Sequence, residues 1–408
     1  MFRSAMVIGI CGFGVNWRDM IAPVSVTRCN SYDHVEVSRS LAECLGRIGG
    51  LEKFVNPGDN VALKVNLLCS AEPSRAVTTH PSLVAAVAKM VRRIGARPLI
   101  VDSPGGVARY TESNLRELYE VTGMADAAEK GGAELNLDTS FISVSAPDGK
   151  LIKRFDVMKP VLEADCVINL PKFKTHEFTY LTAAVKNLFG VLPGKTKTGY
   201  HATLKNIQNF SDMLIDLCSF VKPRLTIVDA IVGMEGDGPT SGHPREIGLL
   251  LAGPNPLAVD ILLAEVVNVD PKAIPHIRSA VNRKLCSGSL DDVEILGETL
   301  ESIRKLDFVM PKSMKNGGKS LATGILYRLG SPLLKNMFSV KPQIIPEICT
   351  GCGICGENCP EHAIRINNSK AQIDHKRCIR CYCCHELCPN NSVELRRTTL
   401  YGLGRAIN

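Results

Sequence analysis

Val61-Ala62-Leu63-Lys64-Val65-Asn66-Leu67 is an apolar run of strand length with two polar side chains set into its later half. Pro98–Asp102, Cys166–Leu170, Leu225–Asp229 and Ile247–Ala252 are runs of the same kind, apolar throughout and polar or glycine-rich just beyond. Between and around them lie helix candidates at Val35–Ile48, Pro81–Ile94, Ser113–Val121, Thr179–Leu188, Leu204–Phe220 and Pro256–Val267. Strands this apolar, joined by crossovers this long, predict an α/β fold: a mostly parallel sheet flanked by helices on both faces. Phe141–Val157 reads as a hairpin turning at Asp148-Gly149, an excursion from that sheet. Met6–Val15 is apolar but short, lacks a small-residue cleavage site, and reads as a first strand and turn.

The end of the chain follows another rule. Cys349-x2-Cys352-x2-Cys355-x3-Cys359-Pro360 returns as Cys378-x2-Cys381-x2-Cys384-x3-Cys388-Pro389, each cysteine 29 residues after its counterpart. The flanks repeat as well, so this is an internal duplication with two pseudo-symmetric halves. Three closely spaced thiolates wrap one side of a cubane, while the fourth, turned away by the proline, reaches the other cluster. The spacing therefore predicts two [4Fe–4S] clusters in a small α+β domain. Cys349, Cys352, Cys355 and Cys388 would hold one cluster, and Cys378, Cys381, Cys384 and Cys359 the other. Zinc sites pair two Cys-x-x-Cys units across a longer spacer and fit poorly. Cys383, wedged between ligands, reads as a packed bystander, and most of the remaining cysteines as core residues.

These readings divide the chain into an α/β domain at 1–305, a basic linker at 306–342 and the cluster domain at 343–400. The stretch Arg304–Lys341, the linker and the two residues before it, accounts for the net charge of +7: it holds eight basic residues against Asp307 alone. The rest of the chain is about neutral, which gives no reason to propose a nucleic-acid surface. Leu321–Val340 is amphipathic, basic and broken by Pro332; it reads as a segment docking on its own protein, with membrane-surface or acidic-partner docking as alternatives. No run of eighteen apolar residues exists, so no transmembrane segment is expected. Sixteen cysteines without a secretory signal point to a reducing, cytoplasmic setting, where thiols serve metal binding.

Two nucleotide motifs fail. Gly9-Ile-Cys-Gly12-Phe-Gly14 has Trp17 where a dinucleotide fingerprint needs glycine, and Gly190-Val-Leu-Pro-Gly194-Lys195-Thr196 is one residue short of a phosphate loop. What remains is position: polar residues gather where strands end, the place where open parallel sheets bind ligands. Lys64, Asn66, Asp102 and Asp229 lie there. Six lysines (172, 174, 186, 195, 197, 205) with His176 and His201 face only Glu177 between Pro171 and Lys205. Such a density suits a carboxylate or phosphate, with a solvated basic face as the alternative. Lys64, Asn66, Asp102, Lys172, His201 and Asp229 are the expected anion or substrate contacts, and Lys174, His176 and Lys186 the expected catalytic groups. Glu235 and Asp237 could hold a cation, but a turn is the simpler reading. Asp260, on an apolar helix, would need a partner such as a lysine. His80, before Pro81, fits a helix cap.

On Leu63-Lys-Val-Asn-Leu-Leu, Val101-Asp-Ser-Pro-Gly, Pro171-Lys-Phe-Lys-Thr-His, Ala184-Val-Lys-Asn-Leu-Phe-Gly, Ile227–Pro239 and Ala258-Val-Asp, the chain resembles the proteins grouped as domain of unknown function 362, in the version with a ferredoxin module behind it. These stretches cover roughly 60–265, with Val65 where the family pattern has proline. The resemblance implies the same two-part plan and supplies no reaction. The favoured reading is an iron–sulfur oxidoreductase whose clusters serve a small anionic substrate in the α/β cleft, His176 or a lysine acting as general acid. The alternative is a non-catalytic ferredoxin-like carrier or assembly protein that docks on a redox partner protein; a non-redox enzyme with structural clusters is a third.

Overall fold

The computed structural model describes residues 21–105, 110–204, 206–315 and 340–397. The Met6–Val15 reading, Lys205 and most of the linker lie outside the described residues.

The main sheet is built from β1 (Ala22–Arg28), β2 (Asn60–Lys64), β3 (Arg97–Val101), β4 (Glu134–Leu135), β7 (Cys166–Asn169), β10 (Leu225–Glu235), β11 (His243–Gly253) and β12 (Val293–Gly297), in the order β12-β1-β11-β10-β7-β2-β3-β4. Its half containing β10, β7, β2, β3 and β4 is parallel. β11 runs antiparallel between β1 and β10, and β12 is parallel to β1. β5 (Phe141–Ser145) and β6 (Arg154–Met158) form the expected hairpin apart from the sheet. Asp216 anchors it by accepting the backbone N–H groups of Lys150, Leu151 and Ile152 at 2.7–2.9 Å.

Alternation along the strands sorts the core onto two faces. Val61, Leu63, Ile100 and Ile168 pack with Leu41, Leu83 and Val87 of the early helices. Ala62, Val101 and Val167 pack with Phe210, Leu214 and Leu217 of the helix Ile207–Val221. Local signals start the helices. Asp33 accepts from the backbone N–H of Val35 and Glu36 at the start of His34–Gly46. His80 caps Pro81–Arg93 and Asn255 caps Pro256–Val266, each followed by proline at the first helical position.

Three expectations shift. The strand at Leu225 continues past Asp229 to Glu235, because its hairpin partner β11 supplies pairing that far, across a register shift after Ala230. The helix expected at Thr179–Leu188 is a short strand, β9 (Tyr180–Thr182), then a helical turn Ala184–Asn187. Tyr180 has φ of 68°, which no helix tolerates, and Asp260 captures the N–H groups of Ala184 and Val185 at 2.7 and 3.0 Å, starting the turn there. Lys172–His176, read from the sequence only as part of the lysine-rich stretch after Cys166–Leu170, is itself a strand, β8, paired with β10 and β9.

The C-terminal region pairs β13 (Val340–Ile344) with β16 (Val393–Arg397) and β14 (Ile364–Asn367) with β15 (Lys370–Ile373). Its two helical turns, Ile354–Glu357 and Cys383–Glu386, start at positions related by the duplication.

Candidate functional site

β8 alternates, so Lys172, Lys174 and His176 leave one side of the strand, and Phe173 packs in the core on the other. Lys174 and His176 reach a cavity of about 80 Å³ at the C-terminal ends of β2 and β3, which also takes in Asn66, Asp102, Lys186 and Lys197. Part of the wall comes from the far end of the chain: Cys383, Glu386 and Leu387 of the cysteine-rich region. That region is docked by the Thr240 hydroxyl, which donates to the Glu386 carbonyl at 2.9 Å, and by Ser241 on Asn391 at 3.0 Å.

None of the three cavity lysines has a carboxylate within hydrogen-bond reach among the described residues. Lys174 Nζ donates to Asn66 Oδ1 at 2.8 Å and to the Val77 carbonyl at 2.6 Å. Lys197 Nζ donates to the Ser103 and Pro104 carbonyls at 2.5 and 2.6 Å. Lys186 Nζ sits over the rings of Phe189 and Phe210, 4.8 and 5.7 Å from their centroids. Burial without a counter-charge pushes Lys174 and Lys197 down to about 7. Lys186 is also lowered by burial, with Glu386 opposing the shift. Burial lifts Glu386 to about 7.

His176 Nδ1 accepts from the backbone N–H of Phe178 at 3.0 Å, which places the proton of the neutral ring on Nε2. Nε2 lies 3.4 Å from Glu386 Oε1, an ion-pair distance without hydrogen-bond alignment.

The other charged groups of the sheet are already paired. Lys64 Nζ lies 2.8 Å from Asp102 Oδ1, both side chains essentially unexposed, while Asp102 Oδ2 accepts from Leu67 N at 2.7 Å. Gly190 covers this pair so closely that a Cβ there would stand 2.6 Å from Lys64 Nζ and nearer still to Asp102. Lys172 Nζ meets Asp229 Oδ2 at 2.8 Å, and the Tyr32 hydroxyl, accepting from Lys172 Nζ, donates to Asp229 Oδ1 at 2.7 Å. His80 stacks its ring on Tyr32, and its backbone N–H donates to the same carboxylate.

Of the residues expected from sequence, the structure thus gathers Asn66, Asp102, Lys174, His176 and Lys186. Lys64 lies behind Asp102. Lys172 and Asp229 form a closed network that does not line the cavity, because Tyr32, on a segment the sequence reading left aside, completes it. The His201 side chain lies outside the described residues. Asp260 pairs with His276 at 2.9 Å and with two backbone N–H groups, not with a lysine. Glu235 accepts from Val309 N, and Asp237 pairs with Lys312 at 2.7 Å, so both secure the chain after the sheet. Cys383 is a cavity wall as well as a packed thiol. Glu386 was invisible as a site residue: nothing in sequence ties it to lysines some two hundred positions earlier.

A second concavity is bounded by Cys349, Cys352, Cys355 and Cys388, the four thiols assigned to one cubane by crossed ligation. Cys355 has Cys388, Cys352 and Cys349 as electrostatic neighbours, and Cys378 has Cys381 and Cys359. Backbone N–H groups point at sulfur at equivalent places of the two halves: Ala363 N to Cys359 and Ser392 N to Cys388, both at 3.2 Å. No three metal-binding side chains converge on a single-ion point among the described residues. A cubane takes one thiolate per iron, so its ligands stand apart and this arrangement fits it.

Residues 61–265 match the family described as Domain of unknown function (DUF362), and residues 341–389 match a 4Fe-4S dicluster domain. A thylakoid-associated protein of Synechocystis sp. is 37% identical over 260 residues, which cover 63% of this chain and 78% of that protein. The chain belongs to the DUF362 family. This DUF362 protein is an iron–sulfur protein by its second domain. A lactate racemase apoprotein from Thermoanaerobacterium thermosaccharolyticum is similar at 14% identity and a TM-score of 0.35, over 59% of this chain and 55% of that one, a likeness too slight to argue from. Among the described residues no helix is long and apolar enough to cross a membrane.

Proposed function

We propose that this DUF362 protein is an oxidoreductase that couples two [4Fe–4S] clusters to a small anionic substrate held in the lysine-lined cavity. One observation carries the reading. The turn Cys383–Glu386, which contains the expected cluster ligand Cys384 and follows Cys381, is also a wall of the cavity. A ligand bound there would lie against the turn that carries Cys384, one of the residues that would hold a cluster. The clusters supply single electrons at low potential when bound.

The chain's own groups do the rest. Lys174, Lys186 and Lys197 attract and orient the anion. His176 presents Nε2–H towards the cavity and can pass that proton to an oxygen as negative charge accumulates. Lys174, poised near neutrality, is the second proton source. Phe189, Leu68 and Leu387 keep the space partly apolar.

The test is single-turnover reoxidation. Anaerobically purified, cluster-loaded protein is reduced and mixed with small anionic acceptors while cluster absorbance is followed. Saturable reoxidation, slowed at least tenfold by Lys174→Ala, is expected. If no acceptor reoxidises the protein saturably, the second reading takes over: a carrier that hands electrons to a protein partner. The exposure of Cys352, at the edge of the other cradle, favours that reading, because it leaves one cluster position at the surface.

A further inference from the structure

Ser103 Oγ and Lys197 Nζ meet 3.1 Å apart in the wall of the cavity, and electron transfer calls on neither as a nucleophile or a base. Ser103 stands just past the C-terminal end of β3, where open parallel sheets bind ligands. Its backbone is fixed: Ser103 N donates to the Gly190 carbonyl at 3.0 Å, and Gly105 N to the Leu68 carbonyl at 2.6 Å. Gly194, at φ of 22°, donates its N–H to Ser103 Oγ at 2.9 Å. The serine oxygen is therefore held in place without any ligand.

The hydrogen bonds of Lys197 bear on its protons. Nζ has three partners: the Ser103 carbonyl at 2.5 Å, the Pro104 carbonyl at 2.6 Å, and Ser103 Oγ. The two carbonyls can only accept, whereas a hydroxyl can do either. Ser103 Oγ already accepts from Gly194 N, and among the described residues its own O–H has no acceptor other than Nζ. An ammonium would leave that hydroxyl proton without a protein acceptor. An amine donates to both carbonyls and takes the hydroxyl proton on its lone pair, which satisfies every group. Burial lowers Lys197, the direction that favours the amine. As an ammonium the same residue adds to the positive charge of the cavity; as an amine it is a base.

We propose that Ser103 is a nucleophile and Lys197 its general base, giving the cavity a second activity, hydrolysis of small activated esters. Oγ attacks the ester carbonyl carbon as Lys197 Nζ takes the hydroxyl proton; the C–Oγ bond forms and the carbonyl electron pair moves to oxygen. Lys174 and Lys186 border the same space and supply positive charge for that oxyanion. As it collapses, the bond to the alkoxy or aryloxy group breaks, and the proton on Lys197 leaves with that group. An acyl-serine remains. Water, giving a proton to the freed amine, releases the carboxylic acid and restores the serine. No electron is exchanged with a cluster, so this goes beyond the oxidoreductase reading and stands without it.

The experiment is acylation of cluster-loaded, full-length protein by p-nitrophenyl acetate, with nitrophenolate release followed by absorbance and the acetyl group located by peptide mass spectrometry. Acetyl-Ser103 should form saturably, in step with a burst of nitrophenolate. Ser103→Ala should lose the burst with iron content unchanged. Lys197→Met should slow acylation about a hundredfold or more. Lys197→Arg still donates to the two carbonyls but cannot act as a base, so it should do no better, which separates a base from a tether of the loop. The wild-type rate should rise with pH to a plateau, and Lys197→Met should lack that inflection; the titratable groups around Lys197 are Asp102, Lys64 and Lys186. No burst, a burst that survives Ser103→Ala, acetyl groups on lysines or cysteines alone, or Lys197→Arg reacting as fast as wild type would each overturn the proposal.

Discussion

Asp102→Asn isolates the electrostatics beneath the cavity floor. Asparagine keeps the shape and can still accept from Leu67 N, the bond that Asp102 Oδ2 makes at 2.7 Å. It removes the charge and the oxygen that faces Lys64. Lys64, with 0% of its side chain exposed, is then left with the Val65 carbonyl at 2.7 Å as its hydrogen-bond acceptor among the described residues. Stranding one member of a buried pair costs about 3–5 kcal/mol. Spread over a domain of this size, roughly 2–3 °C per kcal/mol, the melting temperature should fall by about 6–15 °C. Lys64→Met in the same chain removes the stranded charge and should recover more than half of the loss. Thermal unfolding followed by far-ultraviolet circular dichroism, on protein of equal iron content, measures all three variants against wild type. A single-variant loss below about 1 kcal/mol, or a double variant no better than Asp102→Asn, would show that water reaches the pair and that the floor is not the dry ion pair described.

Gly190→Ala should act on the same pair by sterics alone, lowering stability by about 1–3 kcal/mol and weakening anion binding together, as melting and calorimetry on one preparation would show. Lys174 and Lys197, held at about 7, are partly deprotonated at neutral pH; Lys174 has Cys69, Lys186, Lys172 and Asp102 as titratable neighbours, and Lys197 has Asp102, Lys64 and Lys186. An anion raises both, so binding takes up protons, and affinity should fall roughly tenfold or more per pH unit above 7; calorimetry in buffers of different ionisation enthalpy reads the uptake. The sign for folding is opposite: between about 7 and the ordinary lysine value the unfolded chain holds more protons, so these two groups favour the fold increasingly as pH rises. Finally, Cys388→Ser and Cys355→Ser should perturb the same cluster and Cys359→Ser the other, distinguishable by electron paramagnetic resonance of the reduced protein; if Cys359→Ser and Cys355→Ser perturb one cluster alike, the crossed ligation is wrong.

Much of the frame was legible because its signals are local. Apolar runs, caps such as Asp33 and Asn255, and the Asp148-Gly149 turn depend on neighbours in sequence, and they placed strands and helices to within a few residues. The helix expected over Thr179–Leu188 failed because its boundary is set from elsewhere: Asp260 reaches in to begin the turn at Ala184. The site divides along the same line. Density of lysines pointed to a stretch that borders the cavity, but not to which of them face it. Lys172 is neutralised by Asp229 through Tyr32, a partner supplied by a segment far away in sequence. Glu386 and Cys383 belong to a repeat whose chemistry was already explained, so nothing flagged them as walls of another site.

The docking of Cys383–Glu386 over the lysines also ties the cavity to the cluster region. Its wall is made from residues interleaved with the expected iron ligands, so loss of iron should loosen that wall, and anion affinity should fall with iron content. Protein that has lost its iron would then hold poorly a ligand it has no means to act on.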